Sequence, residues 1–257
     1  MNRITLLTDF GTLDGYVAAM KGVLASHAPK SMVEDVTHDV AQGGIRKGGQ
    51  VLARYWRRYP EGTVHLVVVD PGVGTDRRGL AGEADGRFLV APDNGVLSRV
   101  LESAGTWRLV ALEPSEILPA PESPTFHGRD LFAPAAARLA SGLPLESLGP
   151  SVENPVFLPE PAPRSRGGTT EGEVVEVDRF GNLATNLPPD QVRRAGGVQV
   201  ENLEVPLRTT YGEVEEGELL SLVDSRGRVE VAVRNGSAAR RLAAREGTRV
   251  WVGRKDV

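Results

Sequence analysis

Cysteine is absent from all 257 residues. Disulfides, thiol nucleophiles, thiolate zinc sites and iron–sulfur clusters are thereby excluded. Histidine is scarce: His27, His38, His65 and His127 are the whole supply, which nearly excludes a histidine-rich metal centre. No apolar run approaches the roughly 18–20 residues that span a bilayer. No long block of like charge exists either. Basic and acidic residues are interspersed and the net charge is −4, so neither nucleic acid nor a membrane surface is the expected partner. The opening Met1-Asn2-Arg3 runs through Ile4-Thr5-Leu6-Leu7 straight into Thr8-Asp9. That run is too short for a signal-peptide core, so the expected compartment is the cytoplasm. What is present is ordinary for a globular protein, 40% hydrophobic and 25% charged. The length suffices for one large or two modest cores.

Periodicity divides the chain. Arg3–Thr8 reads as a buried strand, and Tyr16–His27 as a helix with Val17, Met20, Val23 and Leu24 on one face. Residues 44–59 follow as a second helix with Val51, Leu52 and Trp56 inward. The β-branched run 63–69 reads as a strand covered on both faces. Further strands are expected at 87–91 and 107–112, and further helices at 96–103 and 130–141. This alternation predicts an α/β sandwich on a mainly parallel sheet over 1–163. Residues 164–170 have the composition of a linker. Short strand-like segments follow at 172–177, 197–205, 218–223, 228–234 and 248–252, separated by Gly, Asn and Asp. They predict a small β-barrel or β-sandwich domain over 171–257.

Several clusters fall where strands should end, the place where open α/β sheets bind ligands. The first runs Thr8-Asp9-Phe10-Gly11-Thr12-Leu13-Asp14-Gly15. Asp9 suits a ribose diol and Asp14 an ammonium group; Thr12 or Asp14 is equally suited to capping the next helix and nothing more. The second is Val69-Asp70-Pro71-Gly72-Val73-Gly74-Thr75-Asp76-Arg77-Arg78. Here a carboxylate ends a dry strand, and glycines let the chain turn so that an arginine returns toward it. Two adjacent arginines leave the partner open. No Gly-Lys-Ser/Thr follows, which argues against a triphosphate loop. The third, Thr125-Phe126-His127-Gly128-Arg129-Asp130, places a lone histidine at a helix entry, with Asp130 as the expected N-cap. The fourth, Glu176-Val177-Asp178-Arg179-Phe180-Gly181-Asn182-Leu183-Ala184-Thr185-Asn186-Leu187, offers at Asn182 an amide that matches an adenine edge; a tight β-turn accounts for the same residues more plainly. Asp224-Ser225-Arg226-Gly227-Arg228 and Arg234-Asn235-Gly236 have similar turn chemistry, the latter compatible with a hairpin.

Taken in order, these motifs resemble the SAM hydroxide adenosyltransferase family, the adenosine-forming S-adenosylmethionine (SAM) hydrolases related to the SAM-dependent fluorinase and chlorinase. The resemblance runs from Ile4 to Val252. It implies an N-terminal α/β domain, a C-terminal β-barrel and a homotrimer, with SAM held between the N-terminal domain of one subunit and the C-terminal domain of its neighbour. It also implies that Asp70, Arg77 and His127 form the reacting set, with Arg78 competing for the arginine role. Asp9 would bind the ribose; Asp14, Asp178, Ser225 and Arg226 would surround the methionine moiety. Asn182 would read adenine, and the Gly236 backbone would lie near the ring. SAM would be the substrate, with no separate cofactor and no metal. Two departures from the halogenases favour water as nucleophile: His127-Gly128 stands where the fluorinase has Tyr-Ser, and the loop after Arg78 is short, running directly to the strand at Arg87. The chlorinase also has Gly at the second position, so chloride is the rival nucleophile. Two further functions compete with hydrolysis: non-catalytic binding of SAM or adenosine, and metal-dependent hydrolysis with Asp9, Asp14, Asp70 and Asp130 as oxygen ligands.

Overall fold

The computed structural model describes residues 2–253, which divide between Pro159 and Glu160 into two compact units. In the first, six strands form one sheet: β1 (Arg3–Thr8), β2 (Met32–Thr37), β3 (Val64–Val68), β4 (Gly79–Ala84), β5 (Arg87–Pro92) and β6 (Trp107–Ala111). Their order is β2-β1-β3-β5-β4-β6. Strands β2, β1, β3 and β5 pair in parallel, and only β4 is reversed against its neighbours. Helices α1 (Tyr16–His27), α2 (Ile45–Tyr55), α3 (Ser98–Ser103) and α4 (Ala133–Ala140) cover the sheet.

The strand sequences explain the layers. Successive side chains point to opposite faces, so a strand buried on both sides is apolar throughout. Ile4, Leu6, Leu66 and Val68 pack with Val17, Met20 and Leu24 of α1 and the alanines of α4. Leu7, Val67 and Val69 pack on the other face with Leu52 of α2, Val100 of α3 and Trp56. Each fully buried residue of this size contributes about 1.5–3 kcal/mol. The result is the expected α/β sandwich.

Several local expectations change. Strand β2, Met-Val-Glu-Asp-Val-Thr, escapes the hydrophobic pattern because it is an edge strand, paired only with β1 and half exposed. Strand β4, Gly-Leu-Ala-Gly-Glu-Ala, occupies part of the segment read as a direct run from Arg78 to Arg87. Its small residues are required by packing: a Cβ on Gly82 would lie 2.3 Å from Leu109 Cδ2. The β4–β5 hairpin turns at Asp85-Gly86, both at positive φ, as a two-residue loop demands. Helix α2 ends at Tyr55 and passes into a 3₁₀ turn, Trp56–Arg58. The last helix is preceded by a π-helical turn, Gly128–Phe132, and Asp130 is not its N-cap; its carboxylate accepts Ser123 N–H and pairs with Arg129. Neither Thr12 nor Asp14 caps α1, whose N-cap is Gly15 in the left-handed conformation.

The second unit is built from β7 (Arg164–Arg166), β8 (Thr169–Val177), β9 (Leu183–Thr185), β10 (Gly197–Val200), β11 (Leu203–Pro206), β12 (Leu219–Val223), β13 (Val229–Val233) and β14 (Arg249–Val252). The strands pair antiparallel in the order β11-β10-β14-β8-β9-β13-β12, with β7 against β8. A bridge from Leu207 to Ser221 brings the ends of this order together, so the sheet is a nearly closed barrel. Its interior holds Val174, Leu183, Val198, Val229, Val231 and Val250. The expected linker is a hairpin instead: Gly167 and Gly168, both at positive φ, turn β7 onto β8. Residues 197–205 are two strands rather than one, reversing at Glu201 with φ 53°. Two short helices, α5 (Pro189–Ala195) and α6 (Ala238–Arg241), complete the unit.

Candidate active site

Asp70 lies just past the C-terminal end of β3, where the central strand leaves the sheet. The chain then folds back on itself: Val73 N–H donates to Asp70 O, Thr75 N–H donates to Gly72 O, and Gly74 takes φ +79°. Gly72 is needed for clearance, since a Cβ there would meet Arg77 Cγ at 3.3 Å. This turn returns the Arg77 guanidinium to the carboxylate. Nε donates to Asp70 Oδ1 at 2.9 Å and Nη2 donates to Oδ2. Both side chains are nearly buried, 4% exposed for Asp70 and 9% for Arg77. The guanidinium also lies 5.1 Å from the centre of the Phe132 ring, a cation–π contact that further fixes its plane.

The same Nη2 lies 2.9 Å from Nδ1 of His127. Guanidinium can only donate, so Nδ1 accepts and the ring proton resides on Nε2. Desolvation by burial, then the charge of Arg77, lowers the His127 pKa below the ordinary histidine value, with Asp70 and Asp130 opposing. His127 is therefore a neutral Nε2–H donor at neutral pH. It enters the π-helical turn beside Phe126, whose ring meets Phe10 and Tyr16 edge-on. Gly128 packs so closely on Met20, Phe126 and Phe10 that a Cβ would come within 3.2–3.3 Å of each.

Arg78 is committed elsewhere: Nε donates to Asp93 Oδ2 at 2.8 Å, and Nη2 to the Asn154 carbonyl at 2.7 Å. Geometry therefore decides between the two arginines in favour of Arg77 as the partner of Asp70. Asp9 stands near this turn; its Oδ2 accepts Gly43 N–H at 2.7 Å, and a Cβ on Gly43 would face Pro71 at 3.6 Å. Asp14 is exposed and has no partner among the described residues. Among the described residues no three His, Asp or Glu side chains gather as metal ligands, and Asp130, one of the four carboxylates that metal-dependent hydrolysis would use, is held by Arg129.

The remaining candidates belong to the second unit. Asp178 organises the β8–β9 turn: Oδ1 accepts Phe180 N–H and Asn182 N–H, each at 2.9 Å, and Oδ2 accepts Asn182 Nδ2 at 3.2 Å. The backbone here is thus a tight turn. Gly181, at φ +85°, is pressed against Ser237, whose Oγ would sit 2.0 Å from an added Cβ. Ser225 is exposed in the β12–β13 turn, which Asp224 ties by accepting Arg226 N–H and Arg228 N–H. Arg226 pairs with Asp224 and with Glu176 of β8. Gly236 does not sit in a hairpin; Asn235 at φ 54° turns the chain from β13 toward α6, and Gly236 packs on Val233.

Sequence reasoning assigned no role to Glu176, Asp224, Glu230 or Tyr211. Tyr211 Oη donates to Glu230 Oε1 at 2.6 Å. Burial, with the charges of Asp178 and Asp224, raises the Glu230 pKa. For Glu176 and Glu230 the signal was a carboxylate flanked by valines, Val174-Val175-Glu176-Val177 in β8 and Val229-Glu230-Val231 in β13.

Comparison with known proteins agrees with the motif order. The family described as SAM hydroxide adenosyltransferase matches through its N-terminal domain at residues 4–149 and its C-terminal domain at 172–251. An (R)-S-adenosyl-L-methionine hydrolase of Salinispora tropica is 45% identical, over 97% of each chain. A fluorinase of Actinopolyspora mzabensis is 30% identical, over 98% of this chain and 97% of its own. A crystal structure of an uncharacterized conserved protein from Thermotoga maritima superposes with a TM-score of 0.89 at 37% identity, covering 98% of this chain and all of that one.

Proposed function

This chain belongs to the SAM hydroxide adenosyltransferase family, and from that premise we propose that it uses water to split S-adenosyl-L-methionine into adenosine and L-methionine. The observation that carries the reading is the contiguous Asp70–Arg77–His127 set. The sulfonium makes the ribose C5′ electrophilic. Water oxygen bonds to C5′ as the C5′–S bond breaks, and the bonding pair passes to sulfur, which leaves as a neutral thioether. No general acid is needed for that departure. The attacking water must lose a proton, and Asp70 is the acceptor assigned to it. Arg77 holds the Asp70 carboxylate in a fixed orientation, and its charge favours hydroxide character on the water. His127, with its proton on Nε2, acts by donating a hydrogen bond that fixes the water oxygen rather than as a base. Positioning of this kind can be worth up to roughly 7–11 kcal/mol.

Asp9 is assigned to the ribose hydroxyls, Asn182 and the Gly236 backbone to adenine. Asp14, Asp178, Ser225 and Arg226 are assigned to the methionine moiety. These residues divide between the two units, and the proposed assembly is a homotrimer in which neighbouring subunits supply the two sets. SAM is the substrate in this scheme, and neither metal nor cofactor takes part. The test is incubation with SAM in ¹⁸O-water containing excess chelator, followed by mass spectrometry. The expected result is one ¹⁸O in the adenosine 5′-hydroxyl. Loss of activity on chelation, formation of 5′-chloroadenosine in chloride buffer, or binding of SAM without methionine release would each overturn it.

A further inference from the structure

Arg226 is held from two sides in a way that its own turn does not require. Asp224, two residues before it, accepts from Nε at 2.8 Å and lies at an ion-pair distance of 2.8 Å from Nη2. That pairing is local and would exist in any turn of this sequence. The second partner is distant: Glu176, on β8, accepts from Nη1 at 2.6 Å. Glu176 is 2% exposed, a costly place for a carboxylate unless its partner is fixed. Its position follows from sheet register. Glu176 and Glu230 both pair with Ala184 of the intervening strand β9, so the three stand in one row across the barrel wall. Small Ala184 keeps the space between the carboxylates open. Glu230 has its own donor in Tyr211, and Glu176 pairs with the guanidinium.

A guanidinium has five N–H donors. Asp224 engages Nε and Nη2, and Glu176 engages Nη1. One N–H on Nη1 and one on Nη2 have no partner among the described residues. A carboxylate ligand uses such a pair of donors for a two-point hydrogen bond. A lone Asp224 pairing would leave the guanidinium free to swing about its own turn. The pairing to β8 ties it to the barrel wall.

We infer that Glu176 is a positioning residue that locks Arg226 for recognition of the substrate's α-carboxylate, and so sets affinity for amino-acid-bearing sulfonium substrates without touching the reacting carbon. The inference rests on the SAM-hydrolase reading for the identity of the substrate. It predicts that Glu176→Gln, isosteric but unable to hold the charged pair, weakens binding of SAM roughly ten-fold, the scale of one charge-assisted hydrogen bond. The kcat should stay within about two-fold. Decarboxylated SAM, which lacks the group that Arg226 grips, is the control ligand. Its affinity should be the same for wild type and variant, and any general loss of folding would affect both ligands alike. Glu176→Asp, which keeps the charge, should recover part of the SAM affinity.

Calorimetric Kd values for both ligands, with turnover of SAM measured separately, decide the matter. A ten-fold loss confined to the carboxylate-bearing ligand supports the inference. Equal losses for both ligands, or no loss for either, overturn it. Wild-type binding of SAM without turnover removes the hydrolase reading alone, because the Kd ratio still reports on Glu176.

Discussion

Arg77 meets Asp70 and His127 through a single guanidinium, so the three side chains cannot be varied independently. Asp70→Asn keeps the shape but removes the proton acceptor. Turnover should fall by about 10²–10⁴-fold, the usual worth of a general base, with SAM affinity little changed. Steady-state kinetics beside equilibrium binding checks this, and an unimpaired Asp70→Asn enzyme would remove Asp70 from the reaction. A second histidine works on stability instead. His65 is fully buried between the Tyr55 and Tyr59 rings, and its Nδ1 lies 2.8 Å from Thr5 Oγ1. Burial, the largest cause, lowers its pKa to about 4 from 6.5; the Arg87 charge adds to this, and a hydrogen bond to the Trp56 backbone opposes it. Between those values the unfolded chain takes up a proton that the folded protein refuses. The stabilisation is therefore complete above pH 6.5 and is lost as the pH falls toward 4, by roughly 3 kcal/mol in all. Urea unfolding at pH 7 and pH 4.5 should show this slope, and His65→Gln should flatten it. Identical slopes in both proteins would exclude His65 as the source.

Among the elements, strands with apolar runs and helices with an apolar face were legible, and β2 and β4, which lack an apolar run, were not. Strands β1, β3 and β5 announce themselves because apolar neighbours lie above and below them. Strand β2 carries Glu34 and Asp35 because one of its edges is unpaired within the sheet, and β4 is built from small residues because Leu109 presses on it. Turns were legible as turns, but not in their partners. The Asp178–Asn182 turn depends on Gly181, whose φ of +85° and contact with Ser237 leave no place for a side chain. Gly181→Ala should strain the backbone by about 1–3 kcal/mol, and each kcal/mol lowers the melting temperature by roughly 4–8 °C in a domain of this size. Because Asp178 and Asn182 share that turn, SAM binding should weaken as well, while the bidentate Asp70–Arg77 pair is untouched. Scanning calorimetry and a binding isotherm on the variant test both statements, and a melting temperature equal to wild type would refute the strain argument.

For the molecule as a whole, the proposed trimer makes a prediction that mutation of one chain cannot. If each site takes its reacting set from one subunit and its adenine and methionine contacts from the next, Asp70→Asn and Asn182→Ala damage different contributors. Subunits of the two inactive variants, unfolded together and refolded as a mixture, should recover about a quarter of wild-type activity, since one interface in four then joins two intact halves. Recovery near zero, with trimers present by light scattering, would place both sets within one chain. The α/β layering and an all-β second unit were written in the chain, because burial periodicity and turn residues are local properties, and the ordered motifs carried the resemblance to the family. Which arginine faces Asp70, the tautomer of His127 and the grip of Glu176 on Arg226 were decided only by the tertiary structure. Each depends on side chains distant in sequence meeting within hydrogen-bond distance, and a linear pattern carries no record of such distances.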